Sequence, residues 1–103
     1  MRRVMVRYRV KPDQVETNER LVRAVYEELG RTAPEGLRYA TFRLEDGVSF
    51  VHIAAVDTAD GTNPLGKVEA FARFQEGVAA RCDEPPVATG LEQVGAYRFF
   101  GDE

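Results

Sequence analysis

An α+β fold in the order β-α-β-β-α-β, built on one antiparallel sheet, is what the sequence predicts, and three observations carry it. The chain opens on period-two alternation in MRRVMVRYRV. Helical spacing follows, bounded by Pro12 and Gly30. Two strand-like runs, LRYATFRL and VSFVHIAAV, then flank Glu45-Asp46-Gly47, a strong hairpin signal because glycine supplies the positive φ of the turn. The 103 residues make one domain, 1–103, and a hydrophobic content of 44% allows a small core.

Taken in order, residues 3–10 set Val4, Val6, Tyr8 and Val10 against Arg3, Met5, Arg7 and Arg9, the first strand. Asp13, with Glu16 three residues on, forms a capping-box arrangement at the start of the first helix. Val15, Val22, Val25 and Leu29 then recur on one face, with Leu21 beside them, and Glu16–Arg20, Glu19–Arg23 and Glu27–Arg31 are favourable i,i+4 pairs. Gly30 ends this helix. Leu37 to Leu44 is the second strand and Val48 to Val56 the third. Asn63 before Pro64 is an N-cap followed by proline at the first helical position. Val68, Phe71, Ala72, Val78 and Ala79 make one face of a second helix running to Cys82, Pro85-Pro86 stops it, and Leu91 to Phe100 is the fourth strand, with Phe71, Phe74, Phe99 and Phe100 as core. This is the split βαβ, or ferredoxin-like, plan: two helices on one face of a four-stranded antiparallel sheet.

Composition excludes several functions. A net charge of -3 gives no general attraction to nucleic acid or anionic membrane. Arg2 and Arg3 resemble the start of a signal peptide, but Arg7, Arg9 and Lys11 interrupt any apolar region, and no run approaches the roughly 20 apolar residues of a membrane span. Lone Cys82 suits a reducing cytoplasm, and beside Asp83-Glu84 it reads as structural or idle. One histidine and scattered carboxylates such as Asp57 and Asp60 make no metal site, and no cofactor motif is present. RNA-recognition aromatics, paired cysteines and a glycine-rich phosphate loop are likewise missing.

VSFVHIAAV is apolar on both faces, so both require cover. The helices cover one, and a second copy stacked sheet to sheet covers the other, making a homodimer. Reading Val51, Ile53 and Ala55 as the helix-facing set leaves Phe50, His52 and Ala54 opposite. Aligned by composition, Arg7, Arg9, Tyr39 and Arg43 share the face of His52, a mixed aromatic and cationic surface for a planar ligand with acidic hydroxyl or carboxylate groups. A register slip of one residue reverses every such assignment. His52 is the only side chain whose ordinary pKa, about 6.5, allows proton exchange near neutral pH. It is the candidate catalytic base, removing a phenolic proton, with Arg7 or Arg43 stabilising the charge and Tyr39 and Phe50 contacting substrate. The alternative is a histidine hydrogen-bonded within the subunit interface, with Tyr39 and Tyr97 placing rings at its rim.

VEAFARFQEGVAARC, from Val68 to Cys82, and VGAYRFF, from Val94 to Phe100, resemble the small bacterial members of the antibiotic-biosynthesis-monooxygenase-like group of dimeric α+β barrels. The resemblance implies a homodimer whose two sheets close a barrel, each subunit enclosing a pocket between sheet and helices. It also implies a cofactor-independent monooxygenase or related enzyme acting on an oxidisable aromatic metabolite. The chain has no tryptophan, whereas the better-understood members of the active branches use a pocket tryptophan with an asparagine. That departure keeps a second class open, a non-catalytic dimeric module that binds a small ligand or has a structural role.

Overall fold

The computed structural model describes residues 1–99. Strands β1 (Arg2–Val10), β2 (Leu37–Arg43), β3 (Ser49–Val56) and β4 (Cys82–Leu91) form one antiparallel sheet in the order β2-β3-β1-β4. Helices α1 (Val15–Thr32), α2 (Glu69–Glu76) and α3 (Val78–Arg81) complete the ferredoxin-like plan. The apolar face expected for α1 is the one that packs: Val22 and Val25 are buried, with Val15, Leu21 and Leu29 against the same cluster.

The start of α1 differs from the capping box. Asp13 lies within a short 3-10 turn, Pro12–Gln14, and Gln14 at the cap makes no side-chain bond. The helix also continues two residues past Gly30 and closes on left-handed Ala33, whose N–H donates to the Leu29 carbonyl at 2.8 Å. Of the three surface pairs, Glu19–Arg23 is formed at 3.0 Å. The hairpin forms as expected, with Gly47 at φ 80° and the Asp46 carboxylate accepting from the N–H groups of Val48 and Ser49.

The segment read as one long helix from Pro64 to Cys82 is divided. Asn63 caps a 3-10 turn, Pro64–Lys67, its side chain accepting from Leu65 N–H at 3.0 Å. Extended Val68 then breaks the chain before α2, and Gly77 separates α2 from α3. Val68 offers no capping side chain, so Glu28 reaches over from α1, accepting from Ala70 N–H at 2.9 Å and Glu69 N–H at 3.0 Å. The Ala70 N–H, with that of Glu69 and the nearby Arg31 and Arg73, holds the Glu28 carboxyl below its ordinary range. The inward face of α2 carries Ala70, Phe71 and Phe74, while Ala72 and, on α3, Ala79 are exposed.

The last strand corrects the sequence reading. It runs from Cys82 to Leu91 and contains Pro85-Pro86, which were expected to precede it. β4 is an edge strand, where a missing N–H costs no ladder bond on the open side. Its register against β1 shifts between Arg7↔Val87 and Arg9↔Glu84, so the two prolines occupy a bulge. Residues 92–99 lie outside any strand, Tyr97 is exposed, and Phe99, expected in the core, is 49% exposed; Phe100 lies outside the described residues.

Gly36 and Gly30 separate backbone strain from helix propensity. At Gly36, φ is +79° and an added Cβ would meet the Asp57 carbonyl oxygen at 2.6 Å, whereas at Gly30 nothing lies within 4 Å. Gly36→Ala should therefore destabilise the protein by about 2 kcal/mol or more, and Gly30→Ala should stabilise it by roughly 0.5–1 kcal/mol. Denaturant unfolding of both variants measures the difference.

Candidate functional site

Cross-strand pairing decides which face of the sheet holds chemistry. Val6 stands opposite His52 and Tyr8 opposite Phe50, so the inward set of β1 and the set Phe50, His52, Ala54 of β3 point to the same side. That side is covered by the helices: Tyr8, Phe50 and Phe74 belong to one buried cluster. The expected parity is thus inverted. Val51, Ile53 and Ala55 face outward with Arg7 and Phe42, because the arginine-rich set of β1 cannot be buried and in-register pairing carries its β3 partners with it.

His52 is buried and hydrogen-bonded at both ring nitrogens. Nε2 lies 2.7 Å from the Tyr8 hydroxyl, and Nδ1 lies 2.6 Å from the Tyr39 hydroxyl and 3.1 Å from Thr41 Oγ1. Thr41 pairs at 2.7 Å with Tyr26 of α1. On the other side, Asn18 Nδ2 donates to the Tyr8 oxygen at 2.9 Å, and Arg81 Nε donates to Asn18 Oδ1 at 3.3 Å. Buried Arg81 also donates to the Phe74 carbonyl at 2.8 Å and lies over the Phe74 ring, 5.3 Å from its centroid. One polar chain therefore crosses the core, from Arg81 at the end of α3 to Tyr26 on α1. Tyr8 stacks on Phe50 with centroids 5.5 Å apart, which holds its hydroxyl against the imidazole.

Burial sets the electrostatics. It pushes the His52 imidazole down from 6.5 to about 4, so the ring is neutral at neutral pH. It raises the Tyr8 and Tyr39 phenols well above their ordinary value, keeping both protonated, and it raises Tyr26. Beside this network, between sheet and helices, is a cavity of about 120 Å³. Tyr8, Tyr39 and His52 form a hydrogen-bonded polar cluster on a wall built mainly from Val4, Val6, Leu65, Phe71, Phe74 and Val78, with Asn63 and Gln75 also lining it.

Of the residues singled out in the sequence, Tyr39 and His52 meet at this cavity. Phe50 lies in the core behind it as the stacking partner of Tyr8. Arg43 is drawn away by Glu19 of α1, Nη1 to Oε1 at 2.6 Å, and Arg7 stands exposed on the opposite face. Tyr8, Thr41 and Asn18 were not singled out. Asn18 had a legible signal, a polar residue within the apolar stripe Val15-Asn18-Val22-Val25. Cys82 is buried, and burial raises its thiol pKa. No group of three or more His, Cys, Asp or Glu among the described residues is placed to hold a metal ion, and no helix among them is long and apolar enough to cross a membrane.

The depressed His52 pKa carries a stability signature. Above 6.5 the ring is neutral folded and unfolded; as pH falls toward 4 the unfolded chain binds a proton that the folded ring refuses, so stability is lost through that window. The loss should reach about 3 kcal/mol, at roughly 1.4 kcal/mol per pH unit. His52→Gln should flatten that slope, which urea unfolding between pH 7 and 4 reads directly.

No family model matches the chain, and no curated protein matches it. Solved structures do match. One described as "Putative antibiotic biosynthesis monooxygenase from Nitrosomonas europaea" superposes with a TM-score of 0.75 at 18% identity, covering 92% of this chain and 100% of that one. Proteins described in the same words from Caulobacter crescentus and Bordetella bronchiseptica superpose with TM-scores of 0.69 and 0.63, at 15% and 17% identity. The first covers 91% of this chain and 90% of its own; the second, 90% and 96%. The resemblance found in the sequence thus extends to three dimensions: the chain has the fold of the antibiotic-biosynthesis-monooxygenase-like proteins.

Proposed function

We propose that this protein is a monooxygenase-type enzyme, working without a bound cofactor on a small, planar, oxidisable aromatic molecule. The observation that carries the reading is the Tyr8–His52–Tyr39 cluster set in the wall of a mainly apolar cavity, whose other polar lining residues are Asn63 and Gln75. A site of that composition orients a ligand by one oxygen and fixes the rest by shape. A cavity of about 120 Å³ suits a single ring; engineered cavities of about 150 Å³ take up benzene. It is too small for a tricyclic flavin ring together with a substrate. The likeness to structures described as monooxygenases supports the reaction class.

For a phenol, the balanced reaction is phenol plus O2 to para-quinone plus water. Electrons pass from the phenolate ring to O2, the carbon para to the hydroxyl gains one oxygen atom, and the second oxygen atom leaves as water with the two hydrogens lost from the substrate. The protein's part is to hold the ring in a dry cavity and to stabilise the developing phenolate oxygen. Tyr39 is the contact residue for that oxygen, and His52 acts through Tyr39. Protonation of His52 is disfavoured by its burial, so its role is to hold the Tyr39 phenol in place, and it is a weak base at neutral pH. Oxygen uptake with a panel of mono- and dihydroxybenzenes tests the assignment. Tyr39→Phe should lower the rate by about 100- to 1,000-fold, the range for one lost transition-state donor. Equal rates in wild type and variant would refute it.

A non-catalytic binding module is the second reading, favoured by one observation: both nitrogens of His52 are already occupied by protein hydroxyls. It expects the same ligands to bind with no oxygen uptake.

The outward sheet face supports a homodimer. It presents half-buried Val51 and Ile53, with Phe42 46% and Val87 62% exposed, more apolar surface than a solvated strand set carries. Light scattering at micromolar concentration should return about twice the chain mass of 11.5 kDa; the chain mass itself would remove the proposal.

A further inference from the structure

We infer that Arg81 and Asn18 are positioning residues that set the tautomer of His52, so that Tyr39 offers the cavity a hydrogen-bond donor and the ligand oxygen held there is an acceptor, a carbonyl or a phenolate. The ligand part rests on the cavity reading above; the tautomer part stands on the hydrogen-bond chain alone.

A guanidinium only donates. Arg81 Nε at 3.3 Å therefore meets the oxygen of the Asn18 amide, and the amide nitrogen is turned to Tyr8. The Tyr8 oxygen accepts that bond. Were Nε2 of His52 also protonated, the same phenol oxygen would receive two donors and its own proton would be left unpaired in a group 2% exposed, an arrangement costing about 1–3 kcal/mol. Tyr8 thus donates to Nε2, and the neutral ring carries its proton on Nδ1. Nδ1–H points at the Tyr39 oxygen, 2.6 Å away, and at Thr41 Oγ1, 3.1 Å away. Tyr39 accepts from the imidazole, and its phenolic proton is available to the cavity that its ring lines. Thr41 is itself tied to Tyr26. The polarity of the chain runs one way, from the Arg81 cation to the cavity.

His52 is the only histidine, so its ring nitrogens are assigned without ambiguity in a long-range proton–nitrogen NMR spectrum. The wild type should show Nδ1 protonated and Nε2 bare. Asn18→Asp replaces the amide donor by an acceptor: Tyr8 then donates to the carboxylate, and the spectrum should switch to a protonated Nε2. Tyr8→Phe, which withdraws the donor from Nε2 and keeps the ring, should also release the Nδ1 preference. A wild-type ring protonated on Nε2, or a folded Asn18→Asp variant with the tautomer unchanged, would overturn the positioning role. On the ligand side, the wild type should bind benzaldehyde roughly five- to tenfold more tightly than toluene, the worth of one hydrogen bond, and Asn18→Asp should lose that margin. Equal binding of the two compounds would overturn the ligand preference. Binding of neither would overturn the cavity reading, and the tautomer result would then stand by itself.

Discussion

Burying an imidazole between two phenols imposes a demand that most of this core is arranged to meet. Each ring nitrogen needs a partner, each partner needs one of its own, and none can be left over in a region that excludes water. Tyr8 answers for Nε2, and Tyr39 with Thr41 answers for Nδ1. The elements that supply them are then constrained in turn: β1 must pair with β3 in the register that brings Tyr8 beside His52, and α1 must present Asn18 and Tyr26 at a spacing of two turns. No buried side-chain nitrogen or oxygen among the described residues lacks a partner. A network satisfied to that degree specifies a single arrangement of core, where apolar packing alone tolerates several.

The network also explains how a short domain keeps an opening in its interior. Rings form the walls, with Phe71 against Phe74 at 6.1 Å and Tyr39 against Tyr26 at 5.4 Å, and rigid stacked rings resist collapse into the space beside them. Helix α2 carries two of these rings. Its first N–H groups are held by Glu28 of α1, so the helix that walls the cavity is fastened to its neighbour at the end where its own sequence provides no cap.

Much of this was legible in the sequence, and what was not has a physical reason. Order of elements, the hairpin at Asp46-Gly47, the apolar face of α1 and the Asn63-Pro64 cap are local, and local chemistry predicts them. The facing of β3 was not legible from β3 itself, because Phe50-His52-Ala54 and Val51-Ile53-Ala55 are equally apolar and only register separates them. β1 held the answer: its arginines must face outward, and pairing transmits that choice. Arg7 lies on the outward face for the same reason, whereas Arg43, opposite Phe50, shares the face of His52 and is kept from the cavity by its ion pair with Glu19. Pro85-Pro86 misled differently. Proline ends a helix or an interior strand, but at a sheet edge it is admitted, and whether a strand is an edge is a property of the assembled sheet.

Those two prolines have a bearing on how copies of the chain meet. A sheet edge with a full row of free N–H and C=O groups is a template for another strand, and chains that expose one extend sideways into continuous sheets. Here β4 carries Pro85 and Pro86, which have no N–H to donate, and a doubled shift in register bends it out of line. Pairing with a further strand is disfavoured along that border, which leaves the broad outer surface of the sheet as the contact in the dimer proposed above. An arrangement of that kind closes upon itself, and closure limits the number of chains that can join.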